Sequence, residues 1–176
     1  MKTVTGRVWI GDGDSEEHRA ETRGAFDSLE SVLSTFRTIS EEYDVLLQAF
    51  DARYIAGEAH LQAALDHAKR SMRRGENVAD ELAVEVLLYA AGRRQIDEAM
   101  TLGLRTGEQS VIVLLEGDRA DAAVGAVREQ LDPGPVEPEE SALTEYFEIT
   151  PAERAATTGD LGDLVRERVA LLDVEK

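Results

Sequence analysis

Ser110-Val111-Ile112-Val113-Leu114-Leu115-Glu116 runs through Gly117-Asp118 into a segment carrying Ala120, Ala123, Val124, Val127 and Leu131. The first stretch is a continuous apolar run, the composition of a buried strand. The second repeats its apolar residues at three and four positions, the spacing of one helix face, and Asp118 is its expected cap. A strand feeding directly into an amphipathic helix makes this a chain of both elements.

The same alternation extends outward. Val4, Gly6, Val8 and Ile10 share one face of a first strand, Val4–Ile10, and a polar loop follows from Gly11 to Glu17. Phe26, Leu29, Val32, Leu33, Phe36 and Ile39 predict a helix over Asp27–Glu42. Val45–Phe50 reads as a strand that continues to Ile55. Leu61, Ala64, Leu65, Ala68 and Met72 mark a helix from Gly57-Glu58 to Gly75. Asp80 caps a third helix with Leu82, Val86, Leu87 and Ala90, which Gly92 breaks. Gln95–Leu102 reads as a short fourth helix, and Asp132-Pro133-Gly134-Pro135 stops the helix after the central strand. Thr150 caps a short helix from Pro151, and Leu161, Leu164, Val165, Val169 and Leu172 line a terminal one. Strands interleaved with helices predict an α/β (α+β) fold: one domain over residues 1–176, with a small, mostly antiparallel sheet packed with helices. Residues 11–25 read as a mobile acidic insertion.

The chain has 176 residues, 19 basic against 36 acidic, and a net charge of -17. Hydrophobic residues make up 43%, which excludes global disorder. No apolar run reaches the roughly 18 residues of a membrane span, and Met1-Lys2-Thr3 leads into alternation rather than a signal core. A cytoplasmic protein is expected. The absence of cysteine excludes disulfides, thiolate nucleophiles and Cys-ligated zinc. Only Lys2, Lys69 and Lys176 are lysines, and the other 16 basic residues are arginines. Such a chain suits a high-salt cytoplasm, where salt screens repulsion to within about 3 Å. It suits equally an acidic protein that simply avoids nucleic acid, and composition does not choose.

The charge is unevenly spread. Between Arg53 and Arg105, eight basic residues balance eight acidic ones, so the other 123 residues carry the whole -17. A segment spared acidification in this way is a candidate contact surface for an anionic partner; chance clustering explains the same pattern.

Several chemistries fail on spacing. Gly11-Asp12-Gly13 opens like a dinucleotide fingerprint, but Glu16 stands where its third glycine belongs. Read as a calcium loop, Asp12-Asp14-Glu16 meets Glu17 at the turn glycine and Arg23 at the last ligand. His60 and His67 are seven residues apart, about 10 Å along a helix, too far for one metal. No catalytic residue, metal or cofactor is expected.

What remains is Glu85 to Met100, where a helix ends at Gly92, Arg93 and Arg94 follow, and a new helix begins at Gln95. Free N–H groups at a helix start receive anions. Arginines hold phosphate or stack, and Gln95 offers a base-edge contact. Tyr89 offers a stacking face. An αα corner with solvated arginines accounts for the same residues.

Asp51-Ala52-Arg53-Tyr54-Ile55-Ala56-Gly57, Glu58-Ala59-His60-Leu61, Glu85–Met100 and the Ser110–Glu116 strand together resemble the Cgi/TPRKB family, of halophilic archaeal type. This is the small tRNA-binding subunit of the KEOPS complex. The resemblance runs from about Phe50 to Asp118 and touches Thr5-Gly6-Arg7. Its most specific piece is the Gly-x-x-Gln-Ile-x-Glu-Ala pattern at Gly92–Ala99.

The resemblance implies a non-catalytic subunit serving tRNA threonylcarbamoyladenosine modification. Such a subunit docks on the KEOPS kinase-like ATPase and holds the single-stranded CCA end of tRNA. The implied RNA-binding residues are Tyr89, Arg93, Arg94 and Gln95, flanked by His60, Lys69 and Arg70. The competing reading is a small-molecule-binding regulatory α+β domain using the same helix-start pocket. An enzyme working through carboxylates is the third. The apolar face of the terminal helix, Leu164, Val165, Val169 and Leu172, is either the surface that meets the kinase or ordinary core.

Overall fold

The computed structural model describes residues 1–13 and 23–174, so most of the acidic segment 11–25 lies outside the described residues. The chain divides into two compact units. The first comprises 1–13, 23–52 and Leu104–Glu137, and the second Arg53–Gly103 with 138–174.

The first unit is built on one four-stranded sheet. Its strands are β1 (Lys2–Ile10), β2 (Ala25–Phe26), β3 (Leu46–Asp51) and β4 (Gly107–Glu116). The order is β2-β1-β4-β3. β4 runs antiparallel to both β1 and β3, and only the two-residue β2 is parallel, so the sheet is mostly antiparallel as expected. The central strand is longer than its apolar run, because Gly107-Glu108-Gln109 pair with Ile10-Trp9-Val8.

One face of the sheet carries α1 (Leu29–Tyr43) and α5 (Ala120–Glu129). Val4, Val8, Ile10, Val111, Val113 and Leu115 pack there against Val32, Phe36, Ile39, Ala123, Val127 and Leu131. Gly6 is required at its place in β1, since an added Cβ would fall 2.7 Å from that of Leu131.

Several boundaries differ from the sequence reading. Helix α1 starts two residues late, because Ser28 and Ser31 close a reciprocal capping box. Phe26, which the apolar spacing places just ahead of the helix, pairs with Ile10 in β2. Arg119, not Asp118, is the residue before α5. β3 ends at Asp51, and Ala52–Tyr54 form a 3-10 turn rather than more strand.

The second unit is helical throughout, which makes the whole chain α+β. It contains α2 (Glu58–Arg74), α3 (Leu82–Ala91), α4 (Ile96–Ala99), α6 (Glu140–Tyr146), α7 (Pro151–Ala156) and α8 (Leu161–Leu171). Glu81, not Asp80, precedes α3. The loop before α3 is held by the buried Glu85 carboxylate, which accepts from the Val78 and Ala79 N–H groups at 3.0 and 2.9 Å. Helix α6 is a segment to which the sequence reading gave no element. Thr150 and Asp160 cap α7 and α8 through capping boxes. Leu164, Val165, Val169 and Leu172 are all buried, so the apolar face of the terminal helix is core.

Candidate nucleic-acid interface

The residues singled out along the sequence separate into two groups once folded. His60 and Tyr89 belong to the interior. The His60 ring lies in the first turn of α2 and is wholly buried. Its Nδ1 accepts from the Ala56 N–H at 3.2 Å, which leaves the proton on Nε2, and Nε2 donates to the Ala90 carbonyl at 2.8 Å. Burial holds the imidazole neutral, against the contrary pull of the Ala90 carbonyl, and lowers its pKa to about 4. His60 joins two helices and cannot reach a ligand.

Tyr89 is interior for the same reason. Helix α3 buries all seven residues from Glu85 to Ala91, so no face of it is left for an exposed aromatic. The Tyr89 ring lies 5.6 Å from that of His67, and its hydroxyl donates to Asp173 Oδ1 at 2.5 Å. A ring with no exposed face cannot stack on a base.

The helix-start anion pocket also fails. Gly92 ends α3 with φ +58°, a left-handed position where an added Cβ would press on Arg168 at 3.3 Å. Helix α4 then has only four residues, and its first turn holds Asp97 and Glu98. So short a helix has little dipole, and two carboxylates already occupy its positive end.

Arg93, Arg94 and Gln95 do lie outside the core, the last two exposed. Arg93 joins an assembly whose members lie far apart in the sequence. Its guanidinium stands 5.4 Å over the Tyr146 ring. It donates to the Tyr146 carbonyl at 3.0 Å and to Glu148 at 3.3 Å, with Glu98 at 3.7 Å. Tyr146 in turn meets Tyr54, ring centroids 5.5 Å apart, and Arg53 covers Tyr54 at 5.2 Å. Arg53, Tyr54, Tyr146 and Arg93 thus form a half-exposed ladder of two guanidinium groups and two rings. Burial, opposed by the neighbouring Arg93, pushes the Tyr146 hydroxyl up to about 12, so it stays protonated and donates to the Glu98 carbonyl. Tyr146 and Phe147 follow Leu143 at i+3 and i+4, a helical spacing that would have pointed to this region.

Lys69 and Arg70 are half-buried on the last turns of α2, followed by the exposed Arg73 and Arg74. This basic turn suits the negative end of the helix. Arg70 stands 3.7 Å from Asp173. Elsewhere in this unit, Ala56, Leu143, Arg154, Asp160 and Leu161 line an open cleft of about 490 Å³. There Arg154 is paired with Glu140 and Asp160 caps α8, so its charged groups already have partners. Among the described residues no group of three or more His, Asp or Glu could hold a metal ion. Nor is any described helix long and apolar enough to cross a membrane.

The ladder, just before the start of α2, offers planar stacking groups beside the exposed Arg94 and Gln95, whereas the basic turn lies at the far end of that 17-residue helix, about 25 Å along its axis. The fold is of the α+β class. Residues 27–173 match the family model of the kinase binding protein CGI-121, and the chain belongs to that family. Comparison with curated proteins gives no match.

Proposed function

We propose that the chain is the non-catalytic, kinase-binding subunit of a KEOPS-type complex, holding the single-stranded CCA end of tRNA during threonylcarbamoyladenosine modification. The observation that carries the kinase half is the family match over residues 27–173. The RNA half is supported by the Arg53–Tyr54–Tyr146–Arg93 ladder beside Arg94 and Gln95, because unstacked bases bind aromatic faces and guanidinium planes.

The charge of -17 opposes tRNA at low salt. In molar salt, phosphate contacts lose most of their counterion-release contribution. Recognition then rests on stacking and on hydrogen bonds to bases, which a single-stranded end supplies. The regulatory small-molecule reading depended on an anion pocket at the start of α4, and a four-residue helix with Asp97 and Glu98 in its first turn does not provide one.

The experiment is affinity purification of the full chain from a high-salt lysate. A kinase-like ATPase should copurify, and tRNA should bind more tightly with its CCA end than without it. Recovery of the chain with neither kinase nor tRNA would overturn the reading.

A further inference from the structure

We propose that Tyr89, His67 and Arg70 form a phosphate-binding site whose donors are held in this structure by an internal substitute, the carboxylate of Asp173. Three donors from two helices converge on that one group. Tyr89 of α3 donates its hydroxyl to Oδ1 at 2.5 Å. His67 of α2 donates Nδ1–H to Oδ2 at 2.7 Å, and Arg70, one turn further on, brings Nη1 to 3.7 Å of the same oxygen. A hydroxyl, an imidazole N–H and a guanidinium around a pair of anionic oxygens would serve a phosphate equally well.

The placement of Asp173 fits a displaceable occupant. It lies in the turn that follows α8, held there by backbone bonds from Asp173 to Ala170 and from Val174 to Leu171. Its side chain is 29% exposed and that of Arg70 40%, while the Tyr89 hydroxyl is presented from the buried interior. Rotation of the Asp173 side chain would clear the donors without moving the buried Leu172. The donors themselves are fixed: His67 packs on the Tyr89 ring, and α2 and α3 are held together through His60 and Ala90. Burial pushes the Asp173 carboxyl up, but the bonds from Tyr89 and His67 and the charge of Arg70 outweigh it and leave its pKa below the ordinary value. The site therefore favours an anion.

This inference goes beyond the tRNA reading, since it requires only a phosphate group. The probe is inorganic phosphate, titrated calorimetrically against the full chain with chloride at matched ionic strength as the control. Asp173→Ala should bind phosphate at least tenfold more tightly than wild type, and phosphate should raise its melting temperature. Asp173→Asn, which keeps the shape and removes the charge, should shift the same way and serves if the alanine variant does not fold. Adding Arg70→Ala should abolish the gain.

A short single-stranded RNA forms the second arm. If it gains more from Asp173→Ala than phosphate does, the phosphate arrives on RNA; if only inorganic phosphate gains, the ligand is a free phosphate. No gain for phosphate or RNA in either Asp173 variant, or a gain that survives loss of Arg70, overturns the site and leaves Asp173 as a staple of the fold. That outcome would leave CCA-end binding by wild type untouched, so the two readings fail separately.

Discussion

The His60 imidazole and the Ala90 carbonyl are joined by a 2.8 Å hydrogen bond that ties the first turn of α2 to the end of α3. The other ring nitrogen accepts from the Ala56 N–H. A second proton on the ring would therefore have to sit against a donor, inside a fully buried site.

The folded pKa of His60 is about 4, against 6.5 when exposed. Between those values the unfolded chain takes a proton that the folded chain refuses. Stability is thus fully present above pH 6.5 and falls as pH drops toward 4, by about 3 kcal/mol in all. Denaturant midpoints across this window should show the loss, and His60→Leu should be less stable at pH 7 but flatter below it. An NMR titration placing His60 near 6.5 would contradict this.

The fold was legible wherever periodicity was long. β1, α1, α2, β4 and α8 were each carried by four or more apolar residues in register, and the folded elements match them within about two residues except at the start of β4. The short elements were not. A two-residue strand has no period, and α6 lies between Pro138 and the αL residue Glu148 with only Leu143 buried. Burial of the candidate residues was not legible, for a different reason. Sequence locates charge but does not tell burial on a helix that is apolar all round. Tyr89 and His60 look like exposed polar aromatics in sequence, yet each spends its polar atoms inside the unit. Tyr54 and Tyr146 are 92 residues apart, and only the fold makes them neighbours.

Asp44 closes α1 in a left-handed conformation, φ 49°. A side chain there costs energy that glycine does not pay. Its carboxylate also stands at the negative end of the helix, beside Glu41 and Glu42 and with no basic residue in the last turn. Asp44→Gly should stabilise the protein by about 1 kcal/mol, read as a higher denaturant midpoint at unchanged slope. A lower midpoint would show that the carboxylate makes a contact worth more than this strain.

Salt should matter more for this chain than for a neutral one. Thirty-six acidic residues face nineteen basic ones, and the resulting self-repulsion is screened as ionic strength rises. Melting temperature should climb between low salt and molar KCl. The gain should be smaller for a variant with the exposed Glu41, Glu129 and Glu137 changed to Gln. A flat or falling curve would remove the high-salt reading of the composition.

The sharpest expectation concerns the ladder. Tyr54 and Tyr146 are half-exposed, so Tyr54→Ala and Tyr146→Leu should leave the circular dichroism of the protein intact while removing stacking faces. One base stack is worth roughly 1–3 kcal/mol, so each change should weaken binding of CCA-ended tRNA about tenfold, including in molar salt. Arg93 acts differently, because its planar group covers Tyr146 and is pinned by Glu98 and Glu148. Arg93→Lys keeps the charge and loses the plane, and should behave like the tyrosine variants. Arg94→Gln removes charge from an exposed side chain, so its effect should be large at low salt and small at high salt. Filter binding of intact tRNA and of tRNA lacking its last three nucleotides, for each variant at two salt concentrations, separates stacking from charge. Equal binding of both RNAs by wild type, or a Tyr54→Ala/Tyr146→Leu double variant that binds as wild type does, would take the RNA end away from this surface.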